Sequence, residues 1–136
     1  MKETLTFQLS QIANFQRTQM EKFMSETGVH AGQVFVLISL WETDGQTQAE
    51  LVKNLQVSPP TVYNMVVRLS DSGFVEMRRC SRDARVMRVF LTEKGRSVKD
   101  RVEEQWSKLE DFLFSDLTET ERLMFSLLLS KVRKTV

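Results

Sequence analysis

Residues 58–95, SPPTVYNMVVRLSDSGFVEMRRCSRDARVMRVFLTEKG, hold a helix start, a change of hydrophobic period and a basic hairpin in direct succession. Ser58 can accept from the first free backbone N–H groups of a helix, and Pro59 at the first helical position gives up a hydrogen bond that no helix makes there. Val62, Met65, Val66 and Leu69 recur at three- and four-residue intervals. That puts Thr61, Tyr63, Asn64, Val67 and Arg68 on the outer side, and Gly73 is placed to end the helix. Beyond Gly73 the pattern turns β-branched and apolar: FVEMRR and VMRVFLT read as two strands joined by the polar CSRDAR. Arg78, Arg79, Arg82, Arg85 and Arg88 fall within eleven residues there, opposed in that span by Asp83 alone. Such density is typical of surfaces that meet polyanions, although a solvated charged hairpin has the same composition.

Upstream, Thr47 and Glu50 have the spacing of a capping box, which opens a short helix over TQAELVKNL. Its expected buried side is Ala49, Leu51, Val52 and Leu55, and it runs out at Gln56 and Val57. Two short helices with a three- or four-residue turn match a helix-turn-helix, whose second helix enters the DNA major groove. A basic hairpin directly behind that second helix is the layout of a winged helix, where arginines at the wing tip reach a narrow, electronegative minor groove.

Farther out, Val34, Leu37, Ile38 and Trp41 mark one face of a helix closed by the TDG segment at Gly45. Leu5, Leu9, Ile12, Met20 and Phe23, broadened by Phe15 and Met24, predict a long helix over about residues 5–26. Thr92 starts another helix carrying Val98, Val102, Trp106, Leu109 and Leu113. Thr118 and Glu121 repeat the capping-box spacing before a last helix with Leu123, Met124, Leu127, Leu128 and Val132. These terminal stripes exceed what one small core requires, which predicts that Leu5, Leu9, Ile12, Leu123, Leu127 and Leu128 face a second chain.

The chain's 136 residues suit a single domain, and it has neither an internal repeat nor a low-complexity segment. A net charge of +1 averages over residues 1–52 at −3, residues 53–101 at +6 and residues 102–136 at −2. The longest apolar run, Val34 to Trp41, is too short for a membrane span, and MKETLTFQLSQ lacks a basic and then apolar leader, so the expected location is the cytoplasm. One cysteine, Cys80, allows no internal disulfide, and with His30 as the single histidine no four-ligand zinc site is available. His30 reads as a surface or cap residue, and Trp41 and Trp106 read as core packing. Neither a Ser, His and acid set beyond the lone His30 nor a Walker or GxGxxG loop is present. Catalysis, a metal and a cofactor are therefore not expected.

With the parts in this order, the chain resembles the MarR family of bacterial winged helix-turn-helix regulators over nearly its whole length. The resemblance is carried by Gln33, Gln48, Leu51, Thr61, Val62, Arg68, Leu69, Gly73, the wing signature Asp83, Ala84 and Arg85, and the Leu91, Thr92 and Gly95 exit. It implies a mainly α fold with a small β-hairpin: a winged part at residues 31–91, and dimerisation helices at 1–28 and 92–136. It also implies a sequence-specific transcriptional regulator, acting as a repressor, that binds a palindromic operator as a homodimer. Release by a small aromatic ligand between the arms and the winged part belongs to the same implication; its lining residues follow no transferable motif. Arg85 would read the minor groove and Asp83 would orient its guanidinium, with a salt bridge that only stiffens the hairpin as the plainer account. The candidate DNA-binding residues are Ser58, Pro60, Thr61, Tyr63, Asn64, Arg68, Arg78, Arg82, Asp83 and Arg85.

Three positions depart from the family pattern. Met77 stands where an arginine often precedes Arg78, and Asn64 stands where the recognition helix commonly has arginine; asparagine suits bidentate pairing with adenine. Cys80 lies among arginines that favour a thiolate, whereas oxidant-sensing members generally carry their cysteine in the first helix. Two alternatives therefore stay open: a winged helix used for protein contact, since residues 58–71 carry only Arg68 against Asp71, and a thiol-based redox regulator acting through Cys80.

Overall fold

Side-chain caps set most of the helix starts. The computed structural model describes residues 1–136 as α1 (Leu5–Thr27), α2 (Val34–Glu42), β1 (Gln46–Thr47), α3 (Gln48–Leu55), α4 (Pro59–Asp71), β2 (Val75–Arg79), β3 (Met87–Leu91), α5 (Glu93–Ser97), α6 (Lys99–Leu113) and α7 (Glu119–Arg133). Thr47 and Thr118 both form full capping boxes with Glu50 and Glu121. Ser58 caps α4 through the Thr61 N–H, and Thr92 caps α5 through the Gly95 N–H. Each such cap satisfies backbone donors the helix cannot, and is worth about 1 kcal/mol.

The hairpin expected from the sequence is two-thirds of a sheet. The strands lie in the order β1-β3-β2, all antiparallel. Val75 faces Leu91 and Met77 faces Val89 on the inner side, while Glu76 pairs with Phe90 and Arg78 with Arg88 on the outer side. At two residues β1 is too short to show a period. Its Gln46 is buried, donates to the carbonyls of Ser39 and Thr43, and accepts from Asn54 Nδ2. One side chain thus ties α2, the sheet and α3 together.

The core lies beneath this sheet, built from Val36, Leu37 and Leu40 of α2, Leu51 of α3, Val62, Val66 and Leu69 of α4, and Phe74, Val75, Val89 and Leu91 of the wing. On α2 the face differs from the expected one: Val36 and Leu40 are fully buried, while Ile38 and Trp41 are partly covered. The helix is packed by α3, α4 and β3 together, so a one-sided template understates its burial. Ala49, expected inside, is exposed. As expected, His30 is at the surface, and both tryptophans pack against the core.

The helix opened by Thr92 is two helices, interrupted at Val98. Its first piece belongs physically to the winged part: Trp41 Nε1 donates to the Gly95 carbonyl at 2.9 Å, and Thr92 Oγ1 donates to the Gly73 carbonyl at 2.6 Å. A Cβ on Gly95 would collide with the carbonyl of Phe74, which is backbone and cannot turn aside. Gly95→Ala is accordingly expected to lower unfolding stability by about 1–3 kcal/mol, read as a lower urea midpoint at unchanged m-value.

The two ends are different in kind. In α1 only Met20 and Met24 are buried, and α7 buries no residue at all. No helix is long and apolar enough to cross a membrane.

Candidate nucleic-acid interface

The turn from α3 to α4 spans Gln56 to Ser58, with Gln56 in the left-handed region at φ 55°. Gln48 Nε2 reaches from α3 to the Pro59 carbonyl at 3.1 Å and holds the start of α4 in place. From α4, Pro59, Pro60, Thr61, Tyr63, Asn64 and Arg68 are exposed, while Val62, Val66 and Leu69 anchor the opposite face. Arg68 is the single cation on this helix.

The wing arginines are committed unequally. The Arg79 guanidinium donates to the Ala84 carbonyl at 2.7 Å and braces the turn. Arg78 pairs with Glu76 at 2.8 Å and lies over the Phe90 ring at 3.8 Å. Arg88 donates to the Gly45 carbonyl, with Glu50 at 3.9 Å. Arg85 is held by Asp83 in a fork, Nε to Oδ1 and Nη2 to Oδ2 both at 3.1 Å, and its backbone N–H donates to the same carboxylate. Its side chain nevertheless remains 91% exposed. Arg82 is exposed and joins neither kind of contact. Glu76, two residues before Arg78 on β2, and Glu50 on α3 lie just outside the arginine-rich run and offset part of it.

The fork has an electrostatic signature. The Arg85 side chain, and then its backbone N–H, hold the Asp83 carboxyl below the usual carboxylate range. A depressed carboxylate keeps its ionised partner contacts above its ordinary pKa and loses them as pH falls through the lowered value, so the clamp is complete at neutral pH.

Cys80 is half-buried, and its backbone N–H closes the hairpin on the Val86 carbonyl at 2.7 Å. The backbone N–H groups of Arg82 and Asp83, and then Arg88, favour its thiolate and lower its pKa. Iodoacetamide labelling should therefore reach half its limiting rate at a lower pH than a free thiol does, and a profile matching free cysteine would refute this. The Cys80 backbone bond does not depend on the side chain and a serine oxygen can accept from the same N–H groups, so Cys80→Ser is expected to leave the wing intact.

Every residue expected to meet DNA is at least partly exposed and lies on α4, at its cap or on the wing, Asp83 being the most covered. Leu5 is 84% and Leu123 70% exposed, and Leu9, Ile12, Leu127 and Leu128 are exposed with them. Three cavities adjoin Trp106, one of them, about 260 Å³, between α1 and α6 against Leu9, Ile12, Leu109 and Leu113. The two others adjoin α2. One, about 380 Å³, lies between α2 and α6 against Ile38, Trp41 and Val102. The other, about 220 Å³, lies between α1 and α2 against Met20, Ala31, Val34 and Phe35.

Comparison with known proteins gives one answer. A family model described as the MarR family matches residues 29–87. The uncharacterized HTH-type transcriptional regulator YwoH of Bacillus subtilis is 28% identical over 122 residues, covering 90% of this chain and 88% of that one. A crystal structure of a MarR transcriptional regulator from Methanosarcina mazei superposes with a TM-score of 0.86 at 27% identity, over 93% of this chain and 91% of that one. An Escherichia coli MarR variant complexed with operator DNA reaches a TM-score of 0.86 at 26% identity, over 94% and 92%.

Proposed function

We propose that this chain, placed in the MarR family by its sequence and fold, is a transcriptional repressor that binds a palindromic operator in duplex DNA as a homodimer. The observation that carries the reading is the wing tip: Arg85 is 91% exposed yet held in a two-point fork by Asp83. A guanidinium pre-set in this way loses little side-chain entropy on entering a narrow minor groove. With α4 in the adjacent major groove, such a wing reads the flank while the helix reads base edges. That the similar Escherichia coli MarR variant is complexed with operator DNA supports the duplex-DNA reading. Titration against duplex DNA at several salt concentrations tests it: retention should be strong at low salt and weaken as salt rises. No shift on any duplex at low salt would favour a protein-contact surface instead.

Asp83 offers a test in which positioning and charge predict opposite signs. Removing an acid from a surface that meets phosphates should tighten binding if only net charge counts. If the fork matters, Asp83→Ala should weaken binding by several-fold at neutral pH, since the freed guanidinium must be ordered on DNA. An affinity equal to or above wild type would reduce the fork to a stiffener of the hairpin.

Release by a small aromatic ligand is the finer part of the proposal, supported by two of the cavities beside Trp106, those where α2 of the winged part meets α1 and α6. The lowered Cys80 pKa favours a second reading, a thiol switch. Wild type and Cys80→Ser are expected to bind alike and to lose affinity alike under mild peroxide. Release of the wild type alone would establish the switch.

A further inference from the structure

Resting on the duplex-DNA reading above, we infer that the inserted end of α4 reads thymine methyl groups, so that the chain's major-groove specificity is for A·T pairs. The first turn of a recognition helix normally offers free backbone N–H groups to a phosphate or a base edge. Here none is free. Pro59 and Pro60, the first two helical residues, have no N–H, and the Thr61 N–H is taken by Ser58 Oγ. One hydroxyl of the Ser58 and Thr61 pair donates to the other, at 2.7 Å, which leaves a single O–H between them. The rest of the exposed surface is largely apolar: two pyrrolidine rings, the methyl of Thr61 and the ring of Tyr63, which is 52% exposed and carries one hydroxyl.

Guanine is most often read by a bidentate arginine or lysine. The only cation of α4 is Arg68, nine residues beyond Pro59 and so about 13 Å further along the axis at 1.5 Å per residue. The apolar feature a major groove presents is the thymine C5-methyl group, which suits a helix end that is largely apolar and whose own first turn lacks free backbone donors. Asn64 follows Pro60 by four residues and therefore lies beside it on one face, where it can pair with adenine N6 and N7. The Gln48 contact to the Pro59 carbonyl keeps this surface rigid.

The test begins with in vitro selection of binding sites by the full chain from a random duplex library. The enriched duplex is then remade with deoxyuridine in place of thymidine in the half-site cores only, leaving the flanks under the wing unchanged. The exchange removes the C5-methyl and keeps every hydrogen-bonding group. We expect A·T-rich cores and a loss of about fourfold per buried methyl, so on the order of tenfold or more for a symmetric site, at unchanged salt slope. Pro60→Ser should narrow the difference between the two duplexes. Equal affinity for both duplexes, or cores of G·C pairs, would overturn the inference while leaving DNA binding intact. A library from which nothing is enriched would sink the duplex-DNA reading, and this inference with it.

Discussion

Arg85→Ala should lose about 10²–10⁴-fold in affinity for a two-fold symmetric operator, with a visibly shallower dependence on salt. A hydrogen bond to a charged group is worth about 1.5–3 kcal/mol, and a dimer loses the contact at both wings, so the deficit is about 3–6 kcal/mol. Each phosphate neutralisation lost lowers the logarithmic salt slope by about 0.9, hence by up to about 1.8 for two wings. The other wing arginines cannot easily substitute, because Arg78, Arg79 and Arg88 already hold Glu76, the Ala84 carbonyl and the Gly45 carbonyl. Arg82 is the one uncommitted neighbour, and Arg82→Ala should reduce the slope with a smaller loss of affinity. Asn64→Ala should behave oppositely: an almost unchanged slope and about 1–3 kcal/mol lost at one base pair. Wild-type affinity and slope in Arg85→Ala would make the wing a structural hairpin and the protein-contact reading the better one.

The contrast between Arg85 and its neighbours marks how far the sequence could be read. Helix positions were legible because caps and apolar spacing are local: Ser58, Thr47 and Thr118 each cap the helix their spacing predicts. The basic hairpin was legible for the same reason. Illegible were features made by residues distant in sequence. Arg88 meets the Gly45 carbonyl across 43 positions, and Trp41 meets the Gly95 carbonyl across 54. The third strand exists only because Gln46 and Thr47 lie along β3, a pairing that no two-residue segment announces. Which arginines are available to a ligand likewise depends on such contacts: Arg88 is occupied by Gly45 and Glu50 of distant segments, whereas Glu76 reaches Arg78 two residues along the same strand.

The terminal helices carry the other large effect. α7 is a fifteen-residue helix with no buried residue, and Leu123, Met124, Leu127, Leu128 and Val132 are all exposed along it. Isolated helices of that length are marginal in water, so α7 needs a surface to lie on. The same chain offers one: Leu5, Leu9 and Ile12 of α1 are equally uncovered. A patch of this extent on a monomer is a liability, whereas a second copy supplies an apolar face of matching chemistry under two-fold symmetry. Leu127→Glu combined with Leu128→Glu discriminates between the two situations. On a monomer's surface such changes stay within about 0.5 kcal/mol, but at a dimer interface each buries an unpaired carboxylate at a cost of several kcal/mol. Sedimentation should therefore show two chains for the wild type and one for the variant, with helicity lost from α7. Its affinity for a symmetric operator should fall toward that of a single half-site, because the second wing and helix no longer bind at high effective concentration. A wild type that sediments as a folded single chain at micromolar concentration would defeat this account and remove the basis for palindromic recognition.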